Sequence, residues 1–275
     1  MEWIILGIGL LLTLGLALAV ARVRWRRHMR EMKQWGISLE HMSPVTLDRD
    51  LDGLPETAQR LLRHAIGAHA RPVRAVRFKQ VGEIRPAKDG RWLPCVAEQV
   101  LRLPGGFVWR ACVKSGLMRL SGGDHYVEGR GGVNFWFWGL FHAVKSRGED
   151  LVKSAAHRAL LEAMWFPPAL LAGEWREVDT DTARAKLKLD EYELTVDYKL
   201  DADGRILEVS GQRWGNQGAS GKYELLPFGG IMETEQTIDG YTVPSRFRVG
   251  WHFGTAKWGE GEFYRADMKD IEFLE

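Results

Sequence analysis

Apolar and polar residues alternate along much of the C-terminal half of the chain. Between Leu194 and Leu200 every second residue is apolar, and a similar alternation continues from Tyr241 to Phe253. One buried face and one wet face are typical of strands in an antiparallel sheet. The sequences Asp203-Gly204 and Asp239-Gly240 predict tight hairpin turns between such strands.

Other segments are rich in β-forming residues and are separated by glycine-containing turns. The predicted strands cover residues 73–84, 92–103, 107–115, 117–128 (a weaker signal), 175–178, 183–189, 192–200, 206–214, 222–227, 230–238, 241–253 and 261–273. A sheet of about ten strands is expected to curl, because twist accumulates across it.

Two helices are predicted beside these strands. One begins at Pro55 and ends near Gly67, with one apolar face. The sequence from Ser146 to Glu149 matches a capping box, and the helix after it is expected to end near Trp165, because Pro167 disfavours helical geometry at Phe166. The predicted fold is α+β: a large, strongly curved antiparallel half-barrel wrapped around one central helix.

The first residues have a different pattern. Residues 3–21 are uncharged and mostly Leu, Ile and Ala, a run long enough to span a bilayer core of roughly 30 Å. The run lacks the basic start and the cleavage site of a signal peptide. We therefore expect a transmembrane helix with a basic extension over residues 1–36, a linker over 37–53, and a single soluble domain over 54–275.

Charge is distributed unevenly along the chain. Residues 22–36 contain six Arg or Lys against one Glu, a net charge of +5, whereas the whole chain carries +2. With −1 from Glu2, the remaining residues carry −2, which argues against nucleic-acid binding. The positive-inside rule predicts a single-pass protein of the bacterial inner membrane with residues 22–275 in the cytoplasm. Cys95 and Cys112 are expected to stay reduced there.

Catalytic motifs are scarce. The chain has no P-loop, nucleophile elbow, HExxH or CxxC, and it predicts no cofactor and no metal site. The cluster Asp124-His125-Tyr126 is interpreted as a solvated strand end rather than a catalytic group. For Glu162 the favoured interpretation is an ion pair with Arg158, one helical turn earlier, and the alternative is a carboxylate facing a cavity.

Aromatic residues are concentrated in two places. Residues 131–144 contain five aromatic rings and no formal charge, which indicates a strand covered on both faces or one that meets a ligand or a bilayer surface. Trp165 and Phe166 precede two prolines. Phe166 falls on the apolar side of the predicted helix and is expected in the core, whereas Trp165 is a candidate for the rim of a pocket.

Several segments together resemble an uncharacterised bacterial family of membrane-associated proteins. They are LPETAQRLLRHA, WLPCVAEQ, GFVWRA, YVEGRGG, EAMWFPPALL and WREVDTDTARAKL, in order between residues 54 and 187. The segment IDGYTVPSRFRV and the terminal strand are similar more weakly to lipoprotein-carrier folds, in which an antiparallel half-barrel holds acyl chains. The resemblance implies a matching fold and no catalytic residues.

These observations favour a membrane-anchored protein that binds a lipid, an acyl chain or another apolar ligand in its concave face. The candidate binding residues share aromatic or polar character near that face: Glu162, Trp165, Phe166, Trp138, Trp214 and Trp251. The expected partners are the membrane, through residues 3–21, and the apolar ligand. Two alternatives stay open. One is an enzyme acting on a membrane-derived substrate, with Glu162 or the Asp124–His125 pair as acid and base, and the other is a non-catalytic scaffold for another membrane protein.

Overall fold

Thirteen strands of the described chain form one antiparallel sheet. The computed structural model describes residues 2–48 and 50–275, with side chains at Ile8 and from Leu10 onward. The strands are β1 (Ala75–Ile84), β2 (Leu93–Arg102), β3 (Gly106–Ser115), β4 (Met118–Val127), β5 (Arg130–Phe137), β6 (Phe141–Ser146), β7 (Glu174–Asp179), β8 (Thr182–Leu189), β9 (Tyr192–Leu200), β10 (Ile206–Gly215), β11 (Glu224–Ile238), β12 (Tyr241–Trp251) and β13 (Glu262–Leu274).

Two meanders meet at the centre of this sheet. The strand order is β6-β5-β4-β3-β2-β1-β13-β12-β11-β10-β9-β8-β7, so the first and last strands pair with each other. Their register runs from Ala75 opposite Leu274 to Ile84 opposite Tyr264, with one irregularity near Phe78. The hairpins β1–β2, β10–β11 and β12–β13 therefore lie at the same end of the sheet.

Four helices accompany the sheet in the described residues: α1 (Glu2–Glu40), α2 (Glu56–Ala65), α3 (Glu149–Leu161) and the short α4 (Trp258–Gly261). Two 3-10 turns, Glu162–Trp165 and Pro167–Ala172, continue from α3. Helix α3 contacts β3, β4 and β5 in one half and β8, β9 and β10 in the other. Because one helix contacts both halves, the sheet must bend around it. The edge strands β6 and β7 do not pair, so the sheet is open.

The main core fills the space between the concave face and helices α2 and α3. Its largest fully buried side chains include Phe78, Phe107, Phe166 and Tyr198. Alternation along the strands produces this face: in β9, Leu194, Val196, Tyr198 and Leu200 are all buried.

The C-terminal half of α1 covers part of the opposite, convex face. Met32 and Leu39 are buried there against Val108 and Val127 of strands β3 and β4. Nε1 of Trp25 also donates to Oγ of Ser121 at 3.1 Å. Helix α1 is thus part of the folded unit over this stretch, and it extends four residues into the segment 37–53 that was predicted as a linker.

The expected antiparallel sheet is confirmed, but the expected strand count of about ten is too low. Residues 131–144 form the hairpin of β5 and β6, whose turn is made possible by the positive φ of Gly139. The predicted capping box is also absent. Ser146 ends β6, and Gly148, with no side chain to accept a hydrogen bond, precedes α3.

The predicted membrane span is not supported. The side chains of residues 3–7 and 9, which belong to the predicted span, are outside the part of the chain that the structure describes. No helix of the described chain is both long and apolar enough to cross a membrane. The prediction of a single-pass inner-membrane protein is therefore wrong, and the cytoplasmic placement of residues 22–275, which rested on that span, loses its basis. The predicted membrane contact through residues 3–21 falls partly on side chains outside the described part of the chain.

Candidate functional site: an aromatic cavity beside helix α3

A cavity of about 800 Å³ lies between the end of α3 and the concave face of the sheet. Its apolar wall is built from inward-facing aromatic residues of both halves, including Trp109, Phe135, Trp165, Phe228, Phe247 and Trp251. The three hairpin loops at one end of the sheet contribute exposed residues such as Lys88, Asn216 and Lys257. Since these residues are exposed and the aromatic wall is buried, the cavity opens to solvent at the loops.

Hydrogen bonds hold several of these rings in place. Nε1 of Trp165 donates to the carbonyl oxygen of Pro244 at 3.1 Å. Oε1 of the buried Gln80 accepts from Nε1 of Trp109 at 2.7 Å and from the hydroxyl of Tyr264 at 3.0 Å. The polar atoms of Trp109, Trp165 and Tyr264 are therefore satisfied by the protein, which fixes these three rings before any ligand enters.

One side of the cavity carries an ion-pair network centred on Arg158. Its Nε donates to Oε1 of Glu162 at 2.7 Å, and its Nη1 donates to Oδ2 of Asp124 at 2.6 Å. Gln99 completes the network by donating to Oε2 of Glu162 at 2.7 Å and accepting from Arg158 at 3.3 Å. The guanidinium also stacks 4.5 Å from the centre of the Phe107 ring. Burial lowers the pKa of Arg158, the two carboxylates raise it, and the net change is upward.

A second arginine on the wall has no carboxylate partner. Arg213 of β10 is 9% exposed, and its guanidinium lies 4.7 Å from the centre of the Phe228 ring and 5.0 Å from that of Trp251. Its Nε donates to the carbonyl oxygen of Ser154 at 3.3 Å. Burial, and then the charge of Arg158, lower the pKa of Arg213 to about 10. It is therefore still a cation at neutral pH.

Three of the six residues predicted from the sequence line this cavity: Glu162, Trp165 and Trp251. Glu162 satisfies both interpretations of its role, because it faces the cavity and is paired with Arg158. Trp165 is only 2% exposed, so it forms the wall rather than a rim.

The other three predicted residues lie elsewhere. Phe166 is fully buried in the core. Trp214 faces the N-terminal part of α3, where its Nε1 donates to Oδ1 of Asp150 at 2.8 Å. Trp138 is half-exposed in the β5–β6 turn, and its carbonyl oxygen accepts from Arg22 of α1 at 2.6 Å. The structure does not bring these three to the cavity.

Arg213 was not predicted as a site residue, and Asp124 was considered only in the alternative acid–base pair with His125. Asp124 lies inside strand β4, not at a solvated strand end, and its neighbour His125 faces the opposite side, buried against Trp35. Burial lowers the pKa of His125 to about 4. The side chain of Arg213 lies on the inward face of β10, and Gly211 and Gly215 are two residues before and after it. The sequence did carry a signal for Arg213. It is a charged residue at a strand position where an apolar residue is expected, with a glycine two residues before it and another two residues after it on the same face.

Comparison with solved structures finds similar shapes at low identity. A LolA superfamily protein from Nitrosomonas europaea is 10% identical over 80% of this chain and 92% of its own, with a TM-score of 0.38. A domain from Vibrio parahaemolyticus assigned to outer membrane lipoprotein sorting is 11% identical over 79% and 91%, with a TM-score of 0.41. A DUF1329 family protein from Desulfovibrio piger is 12% identical over 79% and 90%, also with a TM-score of 0.41. Likenesses of this size carry no argument about function.

Comparison by sequence gives a firmer result. No curated protein matches the chain. One family model matches residues 52–273, which include every strand of the sheet except the last residue of β13. The resemblance to an uncharacterised family, first seen in segments between residues 54 and 187, is thereby confirmed. The chain belongs to DUF6920, a family of unknown function.

Proposed function

We propose that this chain is a binding protein that holds an apolar small molecule, such as a lipid or an acyl chain, in the concave face of its curved sheet. The observation that carries the proposal is the cavity of about 800 Å³ beside α3, with its buried aromatic wall. Ligand pockets are typically about 300–1,000 Å³, mostly apolar, with a few fixed polar groups. The binding unit in this proposal is residues 54–275.

The polar groups of the cavity support binding more than acid–base chemistry. Two carboxylates beside α3, Asp124 and Glu162, are held by Arg158. The other two on the lining, Glu260 and Glu262, pair with Lys88 and Arg248. Short hydrogen bonds from the Arg158 guanidinium engage both of the carboxylates beside α3. The network therefore favours a role in fixing α3 against the sheet at the side of the cavity.

The test is calorimetric titration of the purified full chain, stripped of bound lipid, with dodecanol as an uncharged apolar probe. Val249 lines the cavity from β12, and Val178 is an exposed residue of β7 away from it. Val249→Phe fills part of the cavity and Val178→Phe is the matched control. We expect saturable binding by the wild type and by Val178→Phe, and at least tenfold weaker binding by Val249→Phe.

Native mass spectrometry of the untreated protein provides a second measurement, in which bound lipid should appear as a mass adduct of one molecule per chain. The proposal fails if dodecanol does not bind, or if Val249→Phe binds it as tightly as Val178→Phe while both variants melt as cooperatively as the wild type.

A further inference from the structure

We propose that Arg213 binds the acidic head group of an amphiphile whose tail occupies the aromatic cavity. The inference rests on the proposed binding function and adds the chemical class of the ligand, a carboxylate or phosphate monoester on an apolar chain. No charged group of the described chain pairs with this arginine.

The position of Arg213 is unusual for a cation. It is 91% buried, on the inward face of β10, and its guanidinium lies against the rings of Phe228 and Trp251, which also contact each other. The only hydrogen bond of this side chain to the described residues goes from Nε to the carbonyl oxygen of Ser154. The two Nη groups have no acceptor among those residues, and Arg213 lines the cavity. A buried cation with free donors is costly unless an anion or a polar group satisfies it.

Arg158, on the same wall, differs from Arg213 because its guanidinium donors have acceptors within the protein. Its guanidinium meets the carboxylates of Asp124 and Glu162 and the amide oxygen of Gln99. Those acids are consequently engaged and lie more than 4.0 Å from the nitrogens of Arg213, since no ion pair joins them. The neighbouring His157 is uncharged at neutral pH, because burial lowers its pKa to about 4. Of the two buried arginines on this wall, Arg213 is thus the one with no carboxylate partner among the described residues.

The chemistry of the guanidinium selects the head group. Its planar fork of N–H donors matches the two oxygens of a carboxylate or phosphate, and such charge-assisted bonds are stronger in a site that excludes water. The neighbouring rings of Phe228 and Trp251 belong to the apolar wall of the cavity and offer no oxygen that would compete for the donors. A different role is that the positive charge of Arg213 offsets the excess negative charge of the Arg158 network. The experiment separates the two.

Calorimetric titration of the lipid-stripped full chain compares four probes: dodecanoate, dodecyl phosphate, dodecanol and acetate. The variants are Arg213→Gln, Arg213→Lys and the control Arg184→Gln, which removes an exposed arginine paired with Asp197. We expect the wild type to bind dodecanoate, dodecyl phosphate or both at least tenfold more tightly than dodecanol, and acetate far more weakly. Arg213→Gln should lose that preference while keeping its dodecanol affinity within twofold. Arg184→Gln should match the wild type.

Each other result has a defined meaning. Equal affinities for charged and uncharged probes in the wild type overturn the head-group inference and leave the proposed function standing. Failure of all three long-chain probes overturns both. Survival of the preference in Arg213→Gln assigns this arginine the charge-balancing role, and acetate binding as tight as that of dodecanoate overturns the amphiphile. If Arg213→Gln does not fold, Arg213→Lys decides: it keeps the charge without the fork, so a preference reduced by less than twofold contradicts the inference.

Discussion

Nη1 of Arg158 donates to Oδ2 of Asp124 at 2.6 Å, and this ion pair joins helix α3 to strand β4 on the concave face of the sheet. The side chains of Arg158 and Asp124 are only 15% and 13% exposed. A second bond from the same guanidinium to Glu162 fixes the point at which α3 passes into a 3-10 turn. One arginine therefore sets both the angle of the helix and one side of the cavity.

Removing this arginine should destabilise the fold strongly. Arg158→Met keeps much of the packing on Phe107 but leaves two poorly exposed carboxylates without a cation. Breaking a buried pair by removing one partner costs about 3 kcal/mol or more. We expect the free energy of unfolding in urea to fall by about that amount.

The matched control is Arg184→Met, which breaks an exposed pair with Asp197. Such a pair contributes about 1 kcal/mol or less. If the two variants were equally stable, the Arg158 network would have no special structural role.

Acid should destabilise the protein partly through His157. Burial, followed by the charges of Lys153 and Arg213, lowers the pKa of His157 from 6.5 to about 4. Between these pH values the unfolded chain binds a proton at this site and the folded chain does not. Stability from this group is therefore present above pH 6.5 and is lost as the pH falls toward 4.

His157→Asn tests this dependence. Nδ1 of His157 accepts from the backbone N–H of Trp214 at 3.1 Å, and an Asn oxygen offers a similar acceptor that does not titrate. On going from pH 7 to pH 5, the variant should lose roughly 2 kcal/mol less unfolding free energy than the wild type. His69→Asn, at an exposed position, should lose as much as the wild type. Equal losses in all three proteins would mean that His157 is not protected from protonation.

The two cysteines should differ in reactivity. Cys95 is 1% exposed on the concave face, and burial raises the pKa of its thiol to about 12. Cys112 is more exposed and lies opposite Val96 on the neighbouring strand. Because the thiolate is the reactive form, iodoacetamide at pH 8 should label native Cys95→Ser protein at Cys112 and leave native Cys112→Ser protein unlabelled. Mass spectrometry after labelling in urea should show both variants modified. Labelling of native Cys112→Ser would show that Cys95 is accessible.

Helix α1 should depend on one side chain for its contact with the sheet. Met32 is fully buried, and the absence of a side chain at Gly123 allows its close approach to strand β4. Truncating a buried Met to Ala removes about 2 kcal/mol or more. In Met32→Ala, hydrogen exchange of the amides in residues 25–40 should be at least tenfold faster. Val23→Ala changes an exposed residue of the same helix and should leave the rates nearly unchanged. Unaltered exchange in Met32→Ala would contradict the proposed docking of α1.

The strand pattern of the sequence predicted the fold better than it predicted the site. Strands such as β9 and β12 have one buried face, so their alternation is visible without a structure. The β5–β6 hairpin was harder to predict. Its aromatic residues lie on both faces of the strands, so they do not alternate with polar residues, and only Gly139 marks the turn.

The cavity depends on contacts between distant segments that local patterns do not encode. Trp165 and Trp251 both line the cavity because the sheet bends around α3. Trp214 and Trp138 are tryptophans in equally aromatic segments of the sequence, but their side chains face elsewhere. The apolar run near the N-terminus suggested a membrane span, but no helix of the described residues is long and apolar enough to cross a membrane.

The most direct test of the central claim is a crystal structure of the full chain with 12-bromododecanoate, in which anomalous scattering locates the bromine at the end of the tail. The account predicts a bromine peak inside the cavity bounded by Trp109, Trp165 and Trp251, with the carboxylate within hydrogen-bond distance of the Nη atoms of Arg213. A cavity occupied only by water, with the bromine elsewhere on the protein or not ordered at all, would contradict it.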